Sequence, residues 1–200
     1  MASPPLNDGV VALRSWQTAD APAIVECCDG DEEMAGWLDR LPQPYTRADA
    51  EFSIAMEGEE TFAVTDSGSG RILGSIGLTW NRDDSIAEIG YWLRADARGN
   101  GYMTRAVALV TSHALANGAE RVQLRADPEN VASCRVAEKA GFVREGVLRS
   151  AHWNPRLHRR QDWAMYSALR SDAARANETS STGSSAFAPG PRRMRRRSQR

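Results

Sequence analysis

Alternation of apolar and polar residues divides the chain into short strands and longer helices. The pattern predicts a strand at Val10–Arg14, a helix at Ala19–Cys28 and a second helix after the N-cap Thr46. Three strands follow, separated by turn-forming residues at 66–70 and 81–84, as is typical of antiparallel hairpins. These strands are Thr61–Thr65, Arg71–Trp80 and Ile86–Leu93.

In the second half of the domain, strands alternate with helices. A helix with one apolar face spans about 101–116, and a strand at Val122–Ala126 leads through the turn 127–130 into a helix that Gly141 ends. The last strands lie at about 142–150 and 161–169. An antiparallel meander joined to a β-α-β-α-β half predicts an α/β or α+β sheet with helices packed on it.

The composition favours one soluble, intracellular domain. The chain has 200 residues, of which 42% are hydrophobic, enough for a single core. No stretch approaches the roughly 18 apolar residues of a membrane helix, and the N-terminus lacks a signal-peptide pattern. Three cysteines without CxxC spacing indicate neither a disulfide framework nor a zinc site. We therefore expect a cytoplasmic protein without a metal or a membrane partner.

The charge is unevenly distributed, although the net charge is only -1. Residues 1–170 are acidic, whereas residues 171–200 are basic and rich in Ser, Thr, Gly, Pro and Arg. Such a segment has little apolar surface to bury against the entropy cost of ordering it. The sequence therefore predicts a domain over 8–170 and a disordered basic tail over 171–200. The tail arginines would allow a weak electrostatic contact with RNA.

A glycine-rich turn joins the strand ending at Leu93 to the following helix. It reads Arg98-Gly99-Asn100-Gly101-Tyr102-Met103-Thr104. The first N–H groups of a helix have no intrahelical partner, and the helix dipole favours negative charge there. A Walker loop would need Gly-Lys-Ser or Gly-Lys-Thr, but the only lysine is Lys139. By itself the turn is equally consistent with a phosphate site and with a merely tight turn.

Three further segments surround this turn in a fixed order. Glu88-Ile89-Gly90-Tyr91-Trp92-Leu93 precedes it, and Asp127-Pro128-Glu129-Asn130-x-x-Ser133 and Glu138-Lys139-Ala140-Gly141-Phe142 follow it. Together they resemble the Gcn5-related N-acetyltransferase (GNAT) superfamily, and within it the RimJ/RimL-type branch, whose best-known members acetylate ribosomal-protein N-termini. The resemblance implies one GNAT-like domain with a mixed, mostly antiparallel sheet of about seven strands and helices on both faces.

The resemblance also implies a site for acetyl-coenzyme A between the strand ending at Leu93 and the strand beginning near Arg121. The pantetheine arm would form hydrogen bonds with the main chain near Trp92, and the pyrophosphate would accept hydrogen bonds from N–H groups of the glycine turn. Met103 and Arg105 depart from the branch pattern, which favours a small and an acidic residue there. The implied coenzyme-binding set is Trp92, Leu93, Arg94, Arg98, Gly99, Asn100, Gly101, Tyr102, Met103, Asn130 and Ser133.

Acetyl transfer to an amine needs a neutral amine, a stabilised oxyanion and a proton for the departing thiolate. Many members of the family supply that proton with a tyrosine at the position of Ala137. Here Asn130 and Ser133 match the Asn-x-x-Ser arrangement of the branch, so Ser133 is the predicted acid. The alternative is that Ser133 only caps the helix or faces solvent.

Glu88, on the central strand, is the leading candidate for the base that deprotonates the amine. A partly buried carboxylate can accept an ammonium proton through water. Glu145 and His152, on the strand after the Phe142 motif, are alternatives, and an imidazole suits the task at neutral pH. Loss of the proton to solvent, without a dedicated base, also stays open.

The acceptor is not determined by the sequence. Acidic residues before the meander favour a cationic acceptor, either a ribosomal-protein-like N-terminus or a small amine such as a polyamine or an antibiotic. Solvated helix faces would explain the same charges. A third hypothesis is an RNA- or ribosome-associated coenzyme-binding module without catalysis, and both a monomer and a homodimer stay open. The acidic residues are Asp29, Asp31, Glu32, Glu33, Asp39, Glu57, Glu59 and Glu60.

Overall fold

The computed structural model describes residues 6–56 and 60–172, which contain one mixed sheet of eight strands. The strands are β1 (Leu6–Asn7), β2 (Val11–Ser15), β3 (Thr61–Asp66), β4 (Ile72–Asn81), β5 (Ile86–Leu93), β6 (Arg121–Ala126), β7 (Val143–Asn154) and β8 (Arg159–Leu169). Their order in the sheet is β1-β2-β3-β4-β5-β6-β8-β7. The pair β5 and β6 is parallel, and the other neighbouring pairs are antiparallel.

Helices pack on both faces of this sheet. They are α1 (Ala21–Cys28), α2 (Glu32–Trp37), α3 (Arg47–Met56), α4 (Tyr102–Ala116) and α5 (Val131–Lys139). Side chains alternate along β5, so that Ile89 and Tyr91 pack in the core beneath α4. Trp92 points to the other face, where it stacks on Trp16 beside α1 with 6.3 Å between ring centroids. The predicted fold class is confirmed, and the two-residue β1 adds to the expected strands.

Two segments differ from the prediction. The sequence pattern gave no helix at α2, because six residues are too few to show an apolar period. Its capping signal is present, since the carboxylate of Asp31 accepts the amide of Met34 at 2.9 Å. Strand β7 also continues past Ser150 to Asn154, across a register shift against β8. Both segments contribute to the site described below.

Residues 173–200, which form nearly all of the predicted tail, lie outside the described residues, as do Glu57 and Glu59. Among the described residues, no helix is long and apolar enough to cross a membrane. In the same part of the chain, no three His, Cys, Asp or Glu side chains are grouped so that they could hold a metal ion.

Candidate functional site

A cleft opens where two central strands separate. Strands β5 and β6 are paired from Ile86 and Arg121 as far as Ile89 and Leu124. Beyond this point β5 stays with β4 up to Leu93, whereas β6 stays with β8. The separation leaves a backbone edge of β5 at a cavity of about 620 Å³. A cavity of this size suits a small-molecule ligand.

One part of the cleft, which we name the glycine end, is lined by Arg98, Gly99 and residues 101–104 of the glycine turn, together with Arg135 and Lys139 on α5. Gly99 and Gly101 adopt φ angles of 79° and 78°, a backbone conformation that glycine reaches without strain. From Gly99 to Thr104, none of the six amides donates to an acceptor within the described chain. Unpaired amides at a helix N-terminus form a binding site for an anion.

The sequence suggested Arg98 as the cation of the glycine end, but the structure leaves Arg135 and Lys139 available instead. The guanidinium of Arg98 donates to Asp31 and, at 2.8 Å, to Glu33, so it ties the turn to α2 instead of pointing at a phosphate. Arg135 and Lys139 stand one helical turn apart on α5 and line the same cleft. Neither has a hydrogen-bond or ion-pair partner within residues 6–56 and 60–172. These two cations are therefore free to meet an anion.

The side chains of two residues of the predicted coenzyme-binding set form hydrogen bonds within the protein. Arg94 donates its amide to a carbonyl of β4 at 2.9 Å, and its side chain pairs with Glu26 and Asp96. The side chain of Asn100 donates to carbonyls within its own turn. Arg94 and Asn100 are not among the described residues that line the cleft. The main-chain amide of Asn100 nevertheless has no acceptor within the described residues. The members that do line it are Trp92, Leu93, Arg98, Gly99, Gly101, Tyr102, Met103, Asn130 and Ser133.

Asn130 and Ser133 meet at the start of α5, in the wall of the cleft. Asn130 caps the helix, since its Oδ1 accepts the amide of Ser133 at 3.0 Å. The Ser133 hydroxyl lies 2.8 Å from the phenol oxygen of Tyr91, which reaches it from β5. Burial, partly offset by this hydrogen bond, raises the pKa of Tyr91 to about 12, so the phenol is protonated at neutral pH. Sequence reasoning gave Tyr91 no role, because its partner is 42 residues away.

A second part of the cleft, which we name the histidine end, is lined by Asp39, Glu88, Arg125, Asp127, His152 and Trp163. Both carboxylate oxygens of Glu88 are engaged. One accepts from Gln123 at 2.8 Å, and the other accepts from Nε and Nη2 of Arg125. Glu88 is thus the counter-ion of Arg125.

His152 is held between a carboxylate and an indole ring. Its Nε2 lies 2.9 Å from Oδ2 of Asp39, and its ring stacks on Trp163 with 5.3 Å between centroids. Arg125 also packs against Trp163, with its guanidinium carbon 4.1 Å from the centroid of the indole. Since β6 and β7 flank β8 on opposite sides, Arg125 and His152 approach Trp163 from the two neighbouring strands.

Glu145, the other alternative base, lies away from the cleft and has a structural role. It accepts two hydrogen bonds from Arg121, at 2.7 and 2.6 Å, and one from Ser167 at 2.7 Å. These bonds lower the pKa of Glu145 to about 2. A carboxylate that is stabilised in this way and lies away from the cleft is poorly suited to the role of the base, for which the sequence offered Glu145 as an alternative.

A buried polar chain ties α2 to the β7–β8 hairpin. Asn154, which has no exposed surface, donates to the carbonyl of Gly36 at 3.1 Å and to Gln161 at 2.9 Å. Gln161 in turn donates to Asp127 at 2.7 Å. The Asn154 carbonyl oxygen accepts two amides of the following turn. These hydrogen bonds fix the C-terminal part of α2 against the hairpin.

Most of the acidic residues expected to attract a cationic acceptor have partners within the protein. Asp29 accepts the amide of Tyr45 at 2.9 Å, and Glu60 accepts from Trp80 and Arg82. Asp31, Glu33 and Asp39 make the contacts given above. The segment therefore presents less free negative charge than its sequence suggests.

Known acetyltransferases match this sequence. Residues 11–143 match a family model described as acetyltransferase (GNAT) domain. The chain is 34% identical over 104 residues to "Probable N-acetyltransferase YjcK" of Bacillus subtilis (strain 168), which covers 50% of this chain and 58% of that protein. It is 32% identical over 80 residues to the ribosomal-protein-serine acetyltransferase of Escherichia coli (strain K12), which covers 38% and 45%. The chain thus spans about half the length of these relatives.

The fold also matches solved structures. One is RimL, a ribosomal L7/L12 alpha-N-protein acetyltransferase in complex with coenzyme A, with a TM-score of 0.74. The match has 18% sequence identity and covers 83% of this chain and 98% of RimL.

Proposed function

Because the chain belongs to the acetyltransferase (GNAT) family, we propose that it transfers the acetyl group of acetyl-coenzyme A to a primary amine, the N-terminal amine of a ribosomal-protein-like acceptor. The proposal depends above all on the cleft between β5 and β6, together with the six unpaired amides from Gly99 to Thr104. An extended ligand that ends in a diphosphate matches both features.

The residues of the cleft fit the polar parts of acetyl-coenzyme A. The free edge of β5 over residues 90–93 offers backbone groups to the amides of the pantetheine arm, as a sheet edge does to an added strand. The glycine turn would hold the diphosphate with its amides, and Arg135 and Lys139 would add charge-assisted hydrogen bonds. When bound, the coenzyme supplies a thioester whose acetyl carbon an amine can attack.

Ser133 is the proposed donor to the departing sulfur, with Tyr91 as its positioning residue. If the protonated phenol of Tyr91 donates to the Ser133 oxygen at 2.8 Å, the serine proton is free to point into the cleft. Asn130 fixes the helical turn that carries Ser133. Tyr91 would thus bring a phenol from β5 to the region where many family members place a tyrosine at the position of Ala137.

The names of two related proteins support a protein acceptor. The E. coli relative is a ribosomal-protein-serine acetyltransferase, and RimL acts as an L7/L12 alpha-N-protein acetyltransferase. A small cationic amine is the competing acceptor, and the acidic segment would attract it as it would attract a basic peptide. The hypothesis of a non-catalytic RNA- or ribosome-associated module rests on the basic tail, beyond the described residues.

Coenzyme binding can be tested with a pair of matched glycine variants. Acetyl-coenzyme A should raise the melting temperature of the wild-type protein, and Gly101→Glu should remove this rise by placing a carboxylate at the anion site. Gly70→Glu is the control, because Gly70 has a similar φ of 73° and equally open surroundings but lies in the β3–β4 turn. A rise that persists in Gly101→Glu would show that the coenzyme does not bind at this turn.

The acceptor can be identified by following release of the coenzyme thiol. An arginine-rich peptide with a free N-terminal serine should be a substrate, and the same peptide with a blocked N-terminus should not. Spermidine, assayed in parallel, represents the small-amine alternative. Turnover with spermidine alone would refute the protein acceptor. Binding of acetyl-coenzyme A without turnover of either acceptor would favour the non-catalytic module.

A further inference from the structure

We infer that His152 accepts the proton from the ammonium group of the acceptor and that Asp39 positions it for this task. The inference rests on the proposed function, because it assigns roles at the histidine end of the same cleft. It replaces Glu88, the leading candidate from the sequence. Asp39 is a residue to which the sequence gave no role beyond its negative charge.

The contact with Asp39 determines which nitrogen of His152 can act. An ionised carboxylate only accepts hydrogen bonds, so Nε2, 2.9 Å from Asp39, carries the proton of the neutral ring. Nδ1 then holds the lone pair. In the described part of the chain, Nδ1 has no hydrogen-bond partner, and His152 lines the cleft. A base with a free lone pair is therefore available at the histidine end.

The ring of His152 is oriented before any acceptor binds. Its plane is 17° from that of Trp163, on which it stacks. Asp39 comes from the segment that follows α2, 113 residues earlier in the chain, and Asn154 anchors α2 itself through Gly36. The side chains of His152 and Asp39 are only 28% and 15% exposed. Such a pair keeps its geometry without having to be assembled by the substrate.

Glu88 is less suited to the role because its oxygens already accept from Gln123 and Arg125. Taking up a proton would cost it a charge-assisted hydrogen bond. As counter-ion of Arg125, it balances the positive charge that packs on the same indole as His152. The charged groups that line this end with His152 are Asp39, Glu88, Arg125 and Asp127.

The proposed step conserves protons and electrons. Nδ1 of His152 accepts one proton from the ammonium, and the resulting imidazolium is stabilised by its ion pair with Asp39. The neutral amine uses its lone pair to form the new C–N bond. The C–S bond breaks, and its electron pair leaves with the sulfur, which takes the hydroxyl proton of Ser133. The acylated nitrogen loses its remaining positive charge by giving one proton back to the Ser133 oxygen, so that the amide and the free thiol are both neutral. The proton on His152 passes to solvent after the product departs.

The His152–Asp39 pair can be tested without coenzyme or acceptor. Nitrogen-15 NMR of ring-labelled histidine reports the tautomer, and His152→Gln identifies the signals of His152 among the three histidines. We expect neutral His152 to carry its proton on Nε2, and Asp39→Ala to give a mixture of tautomers. A proton on Nδ1 in the wild type, or no change in Asp39→Ala, would overturn the assignment whatever the substrate of the protein is.

Kinetics with the free N-terminal serine peptide test the catalytic role. His152→Gln should lower kcat about 100-fold and Asp39→Asn about tenfold, while KM for acetyl-coenzyme A stays unchanged. The residual rate of His152→Gln should rise about tenfold per pH unit, because only amine that is already neutral can react. His158→Asn, in the exposed β7–β8 turn, is the control. Unchanged kcat in His152→Gln, or this pH behaviour in Glu88→Gln instead, would refute His152 as the base.

Discussion

The glycine end and the histidine end of the cleft are built by different means. The glycine end uses main-chain amides of one continuous run, Gly99–Thr104. The histidine end uses side chains from distant segments, since Asp39 meets His152 across 113 residues and Asn154 meets Gly36 across 118. A site made of local backbone tolerates changes elsewhere, whereas a site made of distant side chains depends on docking of α2. Binding of the coenzyme should therefore be separable from use of the acceptor.

The largest effect is expected from removing the polar chain behind the histidine end. Asn154→Ala should lower the free energy of unfolding by about 3 kcal/mol, because it removes several buried hydrogen bonds and leaves the carbonyl oxygens of Gly36 and Gln161 without this donor. Urea unfolding measures this loss. The folded variant should still show the rise in melting temperature with acetyl-coenzyme A, because the glycine end does not depend on Asn154.

Asn117→Ala is the matched control for that experiment. The Asn117 side chain is exposed and donates to the carbonyl of His113 at the end of α4, so its loss should cost less than about 1 kcal/mol. If Asn154→Ala stayed folded but no longer responded to acetyl-coenzyme A, the two ends would not be separable and the comparison would be wrong.

A smaller effect is expected from the cations of the glycine end. Changing Arg135 and Lys139 together to Ala should weaken the binding of acetyl-coenzyme A about tenfold, or about 1.4 kcal/mol. The effect is no larger because both side chains are exposed and their charges are screened by salt. Isothermal titration calorimetry at low and high salt measures this, and the difference should shrink at high salt. Arg149→Ala, which removes an exposed cation from β7, controls for net charge.

Arg98→Ala sharpens the same comparison. Because Arg98 is bound to Asp31 and Glu33, its loss should lower the melting temperature while changing the affinity for acetyl-coenzyme A less than about twofold. If Arg98→Ala lost more affinity than the Arg135 and Lys139 double variant, Arg98 would be a phosphate ligand as the sequence suggested.

The smallest effect is expected at Glu145, which joins the β7–β8 hairpin to β6. Its pKa of about 2 in the folded protein lies below the ordinary 4.5, so its ionised form stabilises the fold above pH 4.5 and this contribution is lost as the pH falls toward 2. The side chain is 40% exposed, which limits the effect of Glu145→Gln at neutral pH to less than about 1 kcal/mol.

Urea unfolding of Glu145→Gln at about pH 7 and about pH 3 tests the sign of this contribution. The deficit relative to the wild type should be smaller at the lower pH. Glu51→Gln, which breaks an exposed ion pair on α3, controls for the removal of a surface carboxylate. A deficit that does not change with pH would argue against a contribution from ionised Glu145.

The same contrast explains what the sequence could predict. The order of strands and helices and the glycine turn follow from neighbouring residues, as does the Asn130 cap of α5, and the structure has them where the pattern predicts. Helix α2 was too short for its period to be recognised. Without α2, the partners of Arg98, which lie 65 and 67 residues earlier, could not be foreseen, and the guanidinium was assigned to a phosphate. The contact of Tyr91 with Ser133 depends on the packing of α5 against β5, which the spacing of residues does not reveal.

Helix α5 places Lys139 in the wall of the cleft, and the chain has no other lysine. A fluorophore directed at amines can therefore attach to only one side chain, beside the glycine turn, and digestion of the labelled protein distinguishes this product from a label on the N-terminal amine. If coenzyme binds as proposed, it covers that side chain, and the yield of labelling at Lys139 should decrease as the cleft fills. The fold thus provides its own reporter of occupancy, which needs no engineered residue.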